Sequence, residues 1–417
     1  MTTFGELFRV FGKIGIVSFG GPAAQIALMH RELVDARSWL TESQFLRALS
    51  FCMLLPGPEA MQLATYAGWR LRGMAGGLIA GGLFVLPGAL VIAALASAYV
   101  TYGATPWVNA AFLGIKAAVV VIVVQALIKV GARALKGPFD WAIAGLAFGA
   151  IFVFGLPYPL IILAAALAGA FRARPGERGA QVDLPSPGAD HVGTIALWAV
   201  LWLFPLTGLL LFAPGLLADI GLFFSKLAVV TFGGAYAVLA YMTQEIVADF
   251  GWITTPEMLD ALGLAETTPG PLILVTEFVA FLAGYNAAGF PMAFAAALVA
   301  LWVTFVPCFL WIFAAAPWIE WLTSRPRLEA ALGGITAAVV GVIANLSLWF
   351  ALHVVFRDLT TLEVGPMRFL WPVWSSLDPV ALALAVSAGC ALFLARIGLI
   401  PLLGAAALAG LGIAALA

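Results

Sequence analysis

Thirteen apolar stretches follow one another along the chain, at about residues 8–28, 44–66, 74–101, 107–128, 139–155, 157–171, 194–213, 217–242, 258–283, 290–316, 331–353, 378–395 and 397–417. A single long polar interval separates them, at about 172–193, where Arg, Pro, Gly and acidic residues cluster. The stretches are rich in Ala, Leu and Gly and show no alternation at period two, so they read as helices that cross or enter a bilayer. About 20 residues at about 1.5 Å each span its hydrocarbon core. Composition agrees: 63% of residues are hydrophobic and 10% charged, against about 25% charged in soluble domains. The expected fold class is an all-α polytopic membrane protein.

The chain also repeats itself. A shift of 213 residues lays FGKIGIVSFGG (11–21) on FSKLAVVTFGG (224–234) and Pro56-Gly57-Pro58 on Pro269-Gly270-Pro271, with 19 identities in 48 ungapped positions. Lys13/Lys226, Met29/Met242, Glu32/Glu245 and Trp39/Trp252 are shared, and Ser18/Thr231 keeps a hydroxyl. Two Ala/Leu-rich runs align by chance; Lys, Glu, Trp and PGP in one register do not. The expected organisation is an N-terminal repeat (1–171), a polar linker (172–193), a connecting transmembrane helix (194–213) and a C-terminal repeat (214–417).

Each repeat carries helix breakers inside apolar stretches: FGGP at 19–22 and PGP at 56–58, then FGGA at 232–235 and PGP at 269–271. Proline removes an N–H and glycine weakens a helix interior, so these segments are expected to split into half-helices, broken or re-entrant. Interrupted backbone survives at membrane depth only where protein or a water-filled cavity satisfies it. With both broken segments of each half re-entrant and a cytoplasmic N-terminus, 15 of the Lys/Arg outside the membrane fall inside the cell and 2 outside, in keeping with the positive-inside rule. Loop 30–47 carries Arg31, Arg37 and Arg47, whereas its counterpart 243–260 carries four acids and no Lys/Arg. Equivalent loops of opposite sign favour inverted repeats.

That design belongs to transporters that bind substrate where repeats meet. Half-helix N-termini present unpaired N–H groups and a partial positive charge, which suits an oxyanion. The candidate binding residues are the backbone at Gly20, Gly21, Gly57, Gly233, Gly234 and Gly270, the hydroxyls of Ser18, Thr231, Thr267 and Thr268, and the amides of Gln25 and Gln62. Lys13 and Lys226 are candidate counter-charges. Ionisable acids in a membrane are costly and usually functional or paired, so Glu59, Glu266 and Glu277 are candidates for proton coupling, Glu59 foremost. Each feature has a plainer explanation: glycine pairs for close helix packing, prolines as kinks, lysines that snorkel, and acids in structural salt bridges. Lys116, amid AAVVVIVV, has no basic counterpart (Thr336) and is either functional or paired.

Other classes are disfavoured. Net charge is −1, which gives no footprint for nucleic acid. Cys52, Cys308 and Cys390 and His30, His191 and His353 are scattered, so no disulfide framework, metal centre or other cofactor is expected. The first apolar run contains Lys13 and a Gly-Gly-Pro break, unlike a removable signal peptide. No GxxxxGK[ST] loop points to direct use of ATP, and no nucleophile–base spacing points to an enzyme. A homodimer is compatible with the chain, and no pattern demonstrates one.

The strings SFGGPAAQIALM (18–29) and FCMLLPGPEAMQLATYAGWRLRGMAGG (51–77), with LPG at 86–88, resemble the chromate ion transporter family, and the second copy (TFGG, TTPGP) its duplicated long-chain form. The resemblance implies chromate export across the bacterial cytoplasmic membrane, chromate resistance, sulfate as look-alike oxyanion, and the proton motive force as energy source. The second half departs where Ala235 stands for Pro22 and Leu272 for Glu59. From the residues alone the class is an oxyanion carrier in a lipid bilayer, with an oxyanion-selective channel as alternative; chromate and sulfate, both tetrahedral dianions, stay undistinguished, and direction and energy source stay open.

Overall fold

The computed structural model describes residues 2–19, 21–172, 189–232, 235–319, 325–365 and 367–416. Helices dominate, and six are long and apolar enough to cross a membrane: Glu59–Tyr102, Pro106–Ala134, His191–Phe212, Leu272–Trp318, Pro326–Val355 and Leu399–Leu416. Large side chains such as Leu146, Phe204 and Phe212 stand 73%, 75% and 87% exposed, as a surface solvated by lipid requires. The chain is a multi-pass membrane protein. The polar linker expected at 172–193 lies mostly outside the described residues; helix Tyr158–Arg172 runs up to it and helix Ala189–Phe212 follows.

All four breaks fall where the sequence puts its breakers. Helix Phe4–Val17 stops before SFGG and the next starts at Gly21. Helix Glu42–Leu54 stops before PGP and the next starts at Glu59. In the second repeat, Leu216–Val230 gives way to Ala235–Thr243, and Thr255–Thr267 to Leu272–Leu274 and Val275–Ala315. Smaller features recur in the same register. Capping boxes start the second broken segment of each copy, Thr41 with Gln44 and Thr254 with Glu257, each satisfying two amides that have no partner within the helix. Single π-helical turns at Arg31–Asp35 and Gln244–Asp249 end the first.

The broken segments of the first repeat double back. Lys13 Nζ donates to Glu32 Oε1 at 2.6 Å, although a continuous helix would hold those residues about 28 Å apart. Likewise the Phe51 and Tyr66 rings lie 6.1 Å apart, against about 22 Å along an unbroken helix. The long helix after PGP then folds again at Arg72–Gly73 (Gly73 φ 63°), which splits it into 59–71 and 74–102. The same fold occurs at Ala288–Gly289 (Gly289 φ 72°). Thus two hairpins of short helices, 4–17 with 21–30 and 42–54 with 59–71, precede the long helix 74–102.

Two compact units form, each drawing on both repeats. The first gathers residues 1–100, 176–238 and 268–326 and contains all four breaks. The second gathers 101–175, 239–267 and 327–417. Within the second, helix 106–134 meets helix 399–416 at Gly114 and Gly410, where an added Cβ would lie 1.8 Å from the Ala406 carbonyl oxygen and 2.1 Å from that of Ala110. Lys116 is paired there with buried Asp260, Nζ to Oδ1 at 3.1 Å, so the isolated lysine of the sequence has its partner. Strands Leu359–Val364 and Met367–Pro372 form an antiparallel hairpin in the same unit.

Glu32 closes the first hairpin by accepting from both Lys13 and Arg37. The hydrogen bond from Lys13, and secondarily that from Arg37, outweighs partial desolvation and holds the Glu32 carboxyl below its ordinary 4.5. A depressed folded-state pKa gives stability that is present above the unfolded value and lost as pH falls through the folded one. Thermal unfolding in detergent is therefore expected to show wild-type protein losing midpoint as pH drops below 4.5, with a smaller loss in Glu32→Gln. Parallel pH curves for the two proteins would contradict the clamp.

Candidate functional site

Each PGP tripeptide has one N–H to offer, that of its glycine, because proline has none. Both amides cross to the other repeat. Gly57 N donates to the Thr231 carbonyl at 2.9 Å, and Gly270 N donates to the Ser18 carbonyl at 2.9 Å. Since 18 and 57 correspond to 231 and 270, the two bonds interchange when the repeats are interchanged. Gly57 at φ +114° and Gly270 at φ +90° occupy backbone conformations that a Cβ disfavours. Space is also short: a Cβ on Gly57 would meet Cys308 Sγ at 2.9 Å, and one on Gly270 would meet the Gly88 Cα at 3.1 Å. Gly88 and Cys308 each follow an intrahelical proline, Pro87 and Pro307.

The side chains of the first repeat reinforce these braces. Gln25, 1% exposed, donates through Nε2 to the Gly270 carbonyl at 2.7 Å, so Gly270 is held at both its amide and its oxygen. Gln62 donates through Nε2 to the Pro56 carbonyl at 2.7 Å. The second repeat has Val238 at the position of Gln25. The structure therefore assembles two clusters in one unit: Ser18, Gln25, Gly270 and Gly88, and Thr231, Gly57, Gln62 and Cys308.

The expected donors are thus partly committed. The Gly57 and Gly270 amides serve the braces, one N–H of each glutamine serves a backbone carbonyl, and the Thr231 hydroxyl turns back to Leu227 O. What remains is a set of buried polar atoms with no hydrogen-bond partner among the described residues: Ser18 Oγ, Gln25 Oε1, Gln62 Oε1, Glu277 Oε2 and Thr304 Oγ1. Buried polar atoms are rarely left unpaired, and each of these could be satisfied by a bound water.

Other residues named from the sequence sit differently. Lys13 and Lys226 are exposed, Lys13 on Glu32. Glu59 is half-buried at the first turn of its helix, and Thr268 is buried beside PGP. Thr267, whose hydroxyl donates to Leu264 O, and buried Glu266 belong to the second unit. Gly21 starts its helix at φ +75° with the Tyr236 hydroxyl 3.7 Å from where its Cβ would be. Gly20, Gly233 and Gly234 lie outside the described residues. Sequence reasoning passed over Gly88, Cys308, Thr304 and Tyr236. The LPG and VPC strings around Pro87 and Pro307 carried a signal for the first two; nothing local marked the others.

Comparison with known proteins fits this geometry. A family model described as chromate transporter matches residues 5–170 and 218–411, one match per repeat. A chromate transport protein of Cupriavidus metallidurans is 31% identical over 350 residues, covering 82% of this chain and 81% of the relative. One of Pseudomonas aeruginosa is 31% identical over 409 residues, covering 92% and 91%. An uncharacterised transporter of Bacillus subtilis, YwrA, is 30% identical over 167 residues, which is 93% of its length and 39% of this chain. No solved structure matches.

Gly57→Ala places a methyl group against Cys308 Sγ on a backbone that resists it, at a cost of about 1–3 kcal/mol for strain and about 1–3 kcal/mol for overpacking. The unfolding midpoint is expected to fall by several degrees, and Cys308→Gly added to it is expected to restore only part, since the backbone strain persists. A Gly57→Ala protein as stable as wild type would contradict the assigned turn.

Proposed function

Because the chain belongs to the chromate transporter family, with a family match in each repeat, we propose that it is a secondary active transporter that exports chromate from the cytoplasm, with sulfate as a competing substrate. The observation that carries this reading is the pair of exchanged braces, Gly57 to Thr231 and Gly270 to Ser18, in the unit that also holds the unpartnered polar atoms. A tetrahedral dianion takes hydrogen bonds from several directions. Ser18 Oγ, the second N–H of Gln25, and the amides at the start of helices 21–30 and 59–71 are the donors assigned to it. The relatives from Cupriavidus metallidurans and Pseudomonas aeruginosa are named as chromate transport proteins, which supports chromate as the cargo.

The two copies act as inverted repeats in this reading, residues 1–171 and 214–417 rocking about the breaks. The doubled-back hairpins support the re-entrant arrangement, which also puts 15 of the Lys/Arg outside the membrane on the cytoplasmic side against 2 on the other. Direction follows from charge. A membrane potential is worth about 2.3 kcal/mol per charge per 100 mV, so a dianion leaving a negative interior gains about twice that. Proton exchange then adds to a gradient that already favours export. Glu277, buried and with Oε2 unpartnered, and Glu59, next to PGP, are the carboxyls assigned to carry the proton.

Counterflow of radiolabelled chromate into proteoliposomes with the potential clamped tests the reading. Saturable, counter-gradient-driven uptake is expected, with KM raised several-fold by Ser18→Ala and the pH dependence flattened by Glu277→Gln or Glu59→Gln. Flux without counterflow, carried as unitary current steps, would replace the carrier with a channel. A pH profile unchanged in both glutamine variants would remove proton exchange.

A further inference from the structure

Several basic residues of the first repeat's hairpins are tied to the protein itself. Lys13 and Arg37 are neutralised by Glu32, and Arg72 donates to the Thr2 carbonyl. Arg47 and Arg70, by contrast, have no carboxylate partner among the described residues, yet both line one cleft of about 300 Å³ together with Gln44, Tyr66, Trp69 and Pro317. The cleft lies between the two arms of the second hairpin: Gln44 and Arg47 come from helix 42–54, and Tyr66, Trp69 and Arg70 from helix 59–71. Those arms lead directly into and out of PGP.

The chemistry of the lining is one-sided. Gln44 Oε1 already accepts from the Thr41 amide in the capping box, which leaves its NH₂ as the group on offer. Two guanidiniums, that NH₂ and the Trp69 indole N–H are donors, and among the described residues no acid lines the cleft. Planar guanidiniums bind oxyanions through paired N–H groups. The volume holds a tetrahedral dianion with part of its hydration shell. The second repeat does not reproduce the feature: the equivalent of Arg47 is Asp260, 5% exposed and paired with Lys116 at 3.1 Å. The same hairpin position is therefore neutralised and buried in one copy, cationic and open in the other.

We propose that the Arg47–Arg70 cleft is a second binding site, for a small tetrahedral oxyanion, that loads the carrier from the Arg-rich side. It rests on the transport reading above and adds to it a residue pair that sets apparent affinity without setting turnover. Two like-charged arginines in one cleft draw dianions from solution ahead of monoanions, and this attraction weakens with salt. The cleft raises the local concentration of substrate beside the hairpin whose tip carries Gly57.

Two measurements on the full-length protein test it. In nanodiscs of neutral lipid, equilibrium dialysis with radiolabelled sulfate is expected to show at least about tenfold weaker binding for Arg47→Gln/Arg70→Gln. Arg47→Lys/Arg70→Lys is expected to retain most of the affinity, and Arg133→Gln, an exposed arginine elsewhere, all of it. In proteoliposomes the double glutamine variant is expected to raise the KM for chromate by a similar factor at an unchanged maximal rate, with a shallower salt dependence. Sulfate binding within twofold of wild type would overturn the site, as would a fall in maximal rate at unchanged KM. A defect seen only in vesicles containing phosphatidylglycerol would overturn it too, by giving the cleft to a lipid headgroup. If wild-type vesicles carry no chromate while dialysis still shows the arginine-dependent loss, transport falls and the anion site stands.

Discussion

A peptide group at membrane depth has no water to turn to, and an interrupted helix exposes several such groups at once. Here the requirement is met by exchange. The glycine amide of each PGP finds the carbonyl that ends the S/TFGG helix of the other copy, so neither repeat satisfies its own PGP glycine. The two copies are coupled at their least helical points. The prolines matter as much as the glycines: by removing two N–H groups they reduce each loop to one donor, and one carbonyl suffices to hold it. Positive φ at Gly57 and Gly270 aims that donor outward from its own helix.

Duplication supplies the framework, and departures from it supply function. Gln25 doubles the hold on Gly270, while Val238 does nothing comparable for Gly57. The loop around Gly270 rests on Gly88, and the loop around Gly57 rests on the larger Cys308. Arg47 lines an open cleft where Asp260 is sealed against Lys116. A carrier built from two identical halves would present the same site to both sides of the membrane. These substitutions make the surroundings of the two halves differ while leaving the braces intact.

Much of this was legible in the residues. The helix breakers at 19–22, 56–58, 232–235 and 269–271 located all four of the breaks that the braces join, because proline and glycine act through local sterics. The register of the repeat was equally local. Doubling back is legible only through contacts such as Lys13–Glu32, which joins residues that pattern alone leaves unconnected. Fates of individual donors were not legible. Gln25 and Gln62 were read as facing a ligand, whereas each spends an N–H on a carbonyl fixed by tertiary packing. The partnership of Lys116 with Asp260 likewise depends on which helices meet, which hydropathy does not encode.

The exchanged braces can be tested by proximity. In a background free of Cys52, Cys308 and Cys390, the pairs Ser18→Cys/Thr268→Cys and Leu55→Cys/Thr231→Cys each set one residue of a brace against a residue two positions before the opposing glycine. Two residues of chain reach about 7 Å, so a short bifunctional thiosulfonate is expected to join both pairs, to similar extents, in membranes without added substrate. Failure of both pairs to cross-link, with the single-cysteine controls still labelled, would mean that the PGP and S/TFGG breaks of opposite repeats do not meet.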